Sequence, residues 1–191
     1  MRKSLLIAAA VMAVAFFAGC ARDVIVPEVL QQPVNSKVYT KCNIWYQNPD
    51  KISAVNIQKG KFIPFGSEIE VVEASESKIV FKDMKGIQYR IKFDDSMMMI
   101  PVETYIRQIF TLSDKAEQVK DIDPAVVSKL EKGIVTAGMT RREVLLAYGT
   151  PAAFRTPTLE NSTWIYWIDD NSTIRVVFRA DKVKTILNLN D

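Results

Sequence analysis

The 191-residue sequence predicts an α+β fold: a small N-terminal β barrel, then a two-layer module of two helices and a three-stranded antiparallel sheet. Three observations predict it. Between residues 37 and 93 short apolar runs alternate with turn residues. Between 122 and 149 two helical frames carry their own start and stop residues. From 164 to 187 three strand-like runs are joined by short polar connections. A composition of 48% hydrophobic and 25% charged residues suits a folded chain.

At the N-terminus, Arg2 and Lys3 precede an uncharged stretch that begins at Ser4, and Phe17-Ala18-Gly19-Cys20 closes it. A basic start, a short apolar run and small residues before a boundary make a secretory signal. About 14 apolar residues are too few to span a roughly 30 Å hydrocarbon core as a helix. Phe17 to Cys20 resembles the bacterial lipobox, in which the cysteine is diacylated and becomes the mature N-terminus. The resemblance implies a signal peptide over 1–19, lipidation at Cys20 and stable attachment through two acyl chains. The alternative is an uncleaved anchor with a chance cysteine. Ala21, where an aspartate would mark retention at the inner membrane, implies an outer-membrane, periplasm-facing location. Without residues 1–19 the chain has 172 residues, 23 basic and 22 acidic. Such a balance argues against nucleic acid as a partner, because phosphate contacts need clustered Lys and Arg.

Residues 20–36 contain Pro27, Pro33 and Gln31-Gln32 with little periodicity, which predicts a tether. Fully extended, the sixteen residues after Cys20 would reach about 50 Å. Residues 37–95 form the β-rich unit. Its expected strands lie at Val38-Tyr39, Ile44 to Tyr46, Ala54 to Ile57, Ser67 to Val72, Ile79 to Phe81 and Ile87 to Phe93. In the last, Ile87, Tyr89, Ile91 and Phe93 alternate with Gln88, Arg90 and Lys92, so one face is buried and one wet. Closure into a barrel would remove exposed edges. Pro64-Phe65-Gly66 before a polar-apolar strand resembles the bacterial Src-homology-like barrels of envelope proteins, in architecture alone. Cys42, in a strand-like stretch, is expected as a small core residue rather than a reactive thiol.

Residues 96–121 connect the halves. Met97 to Met99 and Pro101 end the β-rich unit, and Val102, Ile106, Ile109 and Phe110 predict a helix over 102–112. The methionines are expected to fill core, a greasy partner site being the alternative. In residues 122–191, Asp123-Pro124 supplies an N-cap with proline first in the helix, and Gly133 the stop. Val126, Val127 and Leu130 make its apolar stripe. Thr140 and Glu143 make a capping box, followed by Val144, Leu145 and Tyr148, and Gly149-Thr150-Pro151 ends that helix. Strands are expected at Trp164 to Ile168, Ile174 to Phe178 and Val183 to Leu187.

Ile134, Gly138-Met139-Thr140, Glu143-Val144, Gly149-Thr150-Pro151, Trp164-Ile165-Tyr166, Val177-Phe178 and Val183 stand in an order that resembles the SmpA/OmlA, or BamE, family of small outer-membrane lipoproteins. The resemblance covers roughly residues 122–190. It implies two helices on a three-stranded sheet, a lipid anchor, and a non-enzymatic role beside the outer-membrane β-barrel assembly machinery. The β-rich unit departs from that compact pattern.

Strand alternation nominates a binding surface. Trp164, Tyr166, Ile168, Ile174, Val176 and Phe178 should meet the helices, leaving Ile165, Trp167, Arg175, Val177 and Arg179 on the opposite sheet face. Aromatic, aliphatic and arginine side chains together match the composition of protein-binding hot spots. The loop from Ala152 to Ser162 is a second candidate, and burial of the face by the β-rich unit is the bland alternative. The expected function is therefore a membrane-anchored accessory or scaffold that binds other envelope proteins, with no cofactor, metal or small-molecule substrate. A cell-wall-binding role through Trp45 and Tyr46 of the small barrel is the alternative. Catalysis is not expected: without histidine there is no Ser-His-Asp or Cys-His arrangement, and two cysteines build no metal cluster. Asp94-Asp95 and Asp169-Asp170 read as turn residues rather than acid/base pairs.

Overall fold

A computed structural model describes residues 21–169 and 171–190, so the signal sequence, Cys20 and Asp170 lie outside the described residues. The fold is α+β, with six helices and three sheets among the described residues. In chain order the N-terminal half holds α1 (Val26–Val29), β1 (Val38–Thr40), β2 (Ile44–Tyr46), β3 (Ile52–Ser53) and β4 (Lys61–Ile63). Then come β5 (Glu68–Ser75), β6 (Lys78–Asp83), β7 (Gln88–Lys92), α2 (Asp95–Met98), α3 (Val102–Ile109) and β8 (Phe110–Thr111).

Six of these strands form one curled half-barrel in the order β3-β7-β6-β5-β1-β8. It does not close. The end strands β3 and β8 have two residues each, and β2 and β4 pair separately as a ribbon. The alternation in β7 does what its pattern requires: Tyr89, Ile91 and Phe93 are buried while Gln88, Arg90 and Lys92 are exposed. Ile87 departs from that face, exposed in the turn before the strand. The run from Ala54 to Ile57, expected as a strand, is an irregular buried segment instead. Asn56 there adopts φ 57°, and its carboxamide bonds backbone groups in place of a ladder partner. Helix α3 buries Val102, Tyr105, Ile106 and Ile109 at the expected spacing. It ends three residues early because Phe110 turns extended and pairs with Thr40.

Residues 21–36 are not the free tether that their prolines suggested. Val24 donates its N–H to Ala74 O at 2.8 Å, and Val24 and Val26 join the core of the half-barrel. Arg22 bonds both Glu76 and Glu103. Pro27 opens α1 rather than breaking structure, since a helix's first turn needs no N–H from it. The physical reason is burial: two valines with a core within reach outweigh the extended preference of a proline-containing segment.

The C-terminal half continues with α4 (Lys115–Val119), α5 (Pro124–Leu130), α6 (Arg141–Tyr148), β9 (Thr163–Asp169), β10 (Ser172–Arg179) and β11 (Lys182–Asn190). The three strands form an antiparallel meander in the order β11-β10-β9. Trp164, Val176 and Phe178 from the sheet pack with Leu130, Val144 and Ala147 from α5 and α6. Asp123 caps α5 through its bond from Ala125 N–H. At α6 the Thr140 hydroxyl accepts from Glu143 N–H, and the Glu143 carboxylate accepts from Thr140 N–H at 2.6 Å. Replacing Thr140 with alanine should lower stability by about 1 kcal/mol, with serine restoring most of it in urea titrations.

The two halves are locked together by buried carboxamides. Asn43, fully buried, donates to Leu130 O at 2.9 Å, accepts from Phe65 N–H at 2.9 Å, and gives its own N–H to Leu146 O. Asn56 donates to Asn43 O and Tyr148 O, and Gln58 also reaches Tyr148 O. Side chains cross the same boundary: Phe65 sits in the C-terminal core, while Ala152, Phe154 and Trp167 pack against the N-terminal one. Gly133, at φ +65°, lies so close to the Trp45 ring that a Cβ there would come within 2.5 Å of it.

Candidate protein-binding face

The meander presents two unlike faces because the strand period is two. One set, Trp164, Tyr166, Val176 and Phe178, is buried under α5 and α6, as the alternation requires. The other set holds Ile165, Trp167, Arg175, Val177 and Arg179. Register brings part of it together. Ile165 lies opposite Arg175, and Arg175 opposite Leu187, making one row across three strands. Val177 stands in the neighbouring row between Thr163 and Thr185. Directly opposed side chains on one sheet face are roughly 5 Å apart at Cβ, so each row is continuous.

Trp167 and Arg179 occupy opposite ends. Trp167 pairs with Thr173, six residues along β10 from Arg179, or about 20 Å. The Trp167 end is partly covered by the chain itself. The indole packs against the N-terminal core, with the Arg155 guanidinium 5.2 Å from its ring centre. Its backbone carbonyl accepts from Gln58 N–H at 2.7 Å. A cavity of about 290 Å³, lined by Val55, Ile57, Met97, Phe154 and Trp167, marks the junction. Ile165, Arg175 and Val177 are half-buried, Arg179 is exposed, and Leu187 is 44% exposed.

Leu187 belongs to the face but is absent from the set that alternation nominated. A bulge between Val177 and Phe178 shifts the register, so the third strand's facing cannot be counted outward from its first residue. The antiparallel pairing with Arg175 is the signal that finds it.

Other polar and aromatic side chains have partners within the chain. Arg141 donates to Leu159 O and Asn161 O, lies over the Trp164 and Phe178 rings, and pairs with Asp181. Arg142 donates to Gln118 O at 2.7 Å. Trp45 meets Phe62 at a tilt, 4.6 Å between ring centres, and Tyr46 meets Tyr89 edge-on, so both rings are engaged within the chain. Burial pushes the Cys42 thiol up to about 12, which keeps it protonated at neutral pH. Among the described residues, no helix is long and apolar enough to cross a membrane.

Asp94 caps α2, accepting from Met97 N–H and from the Ser96 hydroxyl, and these bonds hold its carboxyl below the ordinary value of 3.8. Asp169 is lowered in the same way, first by Asn171 N–H. A depressed carboxyl contributes stability that is present above its ordinary value and lost as pH falls through the folded one. The urea midpoint should therefore fall as pH drops below about 4. That fall should be shallower in Asp94→Asn and Asp169→Asn.

Compared with protein-family models, curated proteins and solved structures, the chain shows no match.

Proposed function

We propose that this chain is a lipid-anchored envelope protein acting as a non-enzymatic, protein-binding accessory or scaffold in outer-membrane β-barrel assembly or envelope integrity. The anchor is assigned to Cys20, and the location to the periplasmic side of the outer membrane. On this reading the half-barrel is a Src-homology-like module, and residues 122–190 are the BamE-like one. The observation that carries the proposal is the row Ile165, Arg175 and Leu187, with Val177 beside it, on the sheet face that the helices leave open. A mixed apolar and guanidinium surface of this kind suits a protein partner better than solvent.

The test is affinity purification of the full-length chain from crosslinked membranes, alongside Arg175→Glu and Leu187→Asp variants. Partner recovery is expected to drop at least tenfold in both, with urea midpoints near that of the parent. Unchanged recovery in well-folded variants removes the face from the proposal.

A further inference from the structure

The start of the described chain leaves an anchored protein very little slack. Arg22 is fixed to the body by Glu76 and Glu103, its carbonyl accepts from Glu76 N–H, and Asp23 bridges Ser75. One residue, Ala21, separates Arg22 from Cys20, a reach of about 7 Å when extended. Whatever surface lies beside Arg22 would be held against the bilayer that carries the anchor.

That surface sets an exposed methionine among charged side chains. Met99, the cap residue that ends α2, is 67% exposed, and Met97, within the helix, is 55% exposed. Arg22, Met99, Ile100 and Pro101 line one cavity of about 370 Å³. The surrounding charges are mostly acidic: Glu76 and Asp95 line the same cavity, as does Glu103, and Asp94 caps the helix. Acidic neighbours make an anionic headgroup a poor attractor, so apolar insertion remains the mode of contact. Flexible thioether side chains suit an irregular lipid boundary.

We propose that the Met99–Pro101 segment after α2 is a bilayer-contact site, with Met99 seated at the boundary between headgroups and acyl chains. This rests on the anchored reading of Cys20. The same half-barrel supplies the comparison. Met84 is 70% exposed in the turn between β6 and β7, at the opposite end of the strands from Arg22. β6 alone separates the two ends by about 20 Å.

The test uses the full-length lipidated chain in phosphatidylcholine nanodiscs, with an environment-sensitive fluorophore on Met99→Cys or on Met84→Cys. Cys42 is buried and spared from labelling. The probe at 99 is expected to shift to the blue and to be quenched by lipid-borne nitroxide, while the probe at 84 stays solvent-like. Equal, solvent-like emission at both positions in a chain shown by mass spectrometry to be acylated overturns the contact site and leaves the anchor standing. Protection at 99 that appears only on adding envelope proteins overturns it in favour of a protein contact. An unacylated chain overturns the anchor and the contact site together.

Discussion

Replacing Asn43 with alanine is expected to remove roughly 2–4 kcal/mol of folding free energy, a large share of the 5–15 typical of a domain. The side chain accepts from Phe65 N–H and donates to Leu130 O, which Gly133 N–H also reaches, both in fully buried surroundings. Truncation strands the Phe65 N–H, at about 1–3 kcal/mol, and removes one of the two bonds to Leu130 O, at about 1 kcal/mol more. An Asn43→Asp change keeps the bond from Phe65, sets a carboxylate oxygen against Leu130 O and buries a charge, so it should be no milder. Urea titration followed by tryptophan fluorescence is the measurement. A lower midpoint with an unchanged slope is the expected signature, and a loss below about 1 kcal/mol contradicts the assignment.

Trp164→Ala should have a comparable effect, about 3–5 kcal/mol. Trp164 is fully buried, meets Phe178 at 4.6 Å between ring centres, lies under the Arg141 guanidinium, and donates its indole N–H to Leu159 O at 3.2 Å. Phenylalanine should recover most of the loss, because packing rather than the hydrogen bond dominates there. Trp167→Ala should be distinctly milder, since that ring is only half-buried. Equal losses at 164 and 167 would mean that the sheet's two faces are not the inner and outer ones described above.

How far the residues alone announce this arrangement depends on how local each signal is. Thr140 with Glu143, Asp123 before Pro124, and the alternation in Tyr89, Ile91 and Phe93 state their structures within a few positions, and each forms as read. The inward facing of Trp164, Tyr166 and Val176 is equally local. Closure of the barrel was a global inference, and it failed because strands of two residues end the sheet on both sides. β4 is three residues set between Gly60 and Pro64, too short to carry a period. The carboxamides of Asn43, Asn56 and Gln58 bond residues up to 92 positions away, so no window of sequence contains their partners. On the candidate face, parity located Ile165, Arg175 and Val177, while Leu187 needed the bulge. The docking of Val24 and Val26 depended on a core assembled from later segments.

The carboxamide lock also has a mechanical meaning. A pull applied near residue 22 enters through the bonds to Ala74, Glu76 and Glu103, and reaches α5 and α6 through Asn43 and Asn56 without crossing a slack joint. Load and cargo would then share one stiff frame. On the anchored reading, a partner gripped on the far sheet would load the attachment point through these bonds.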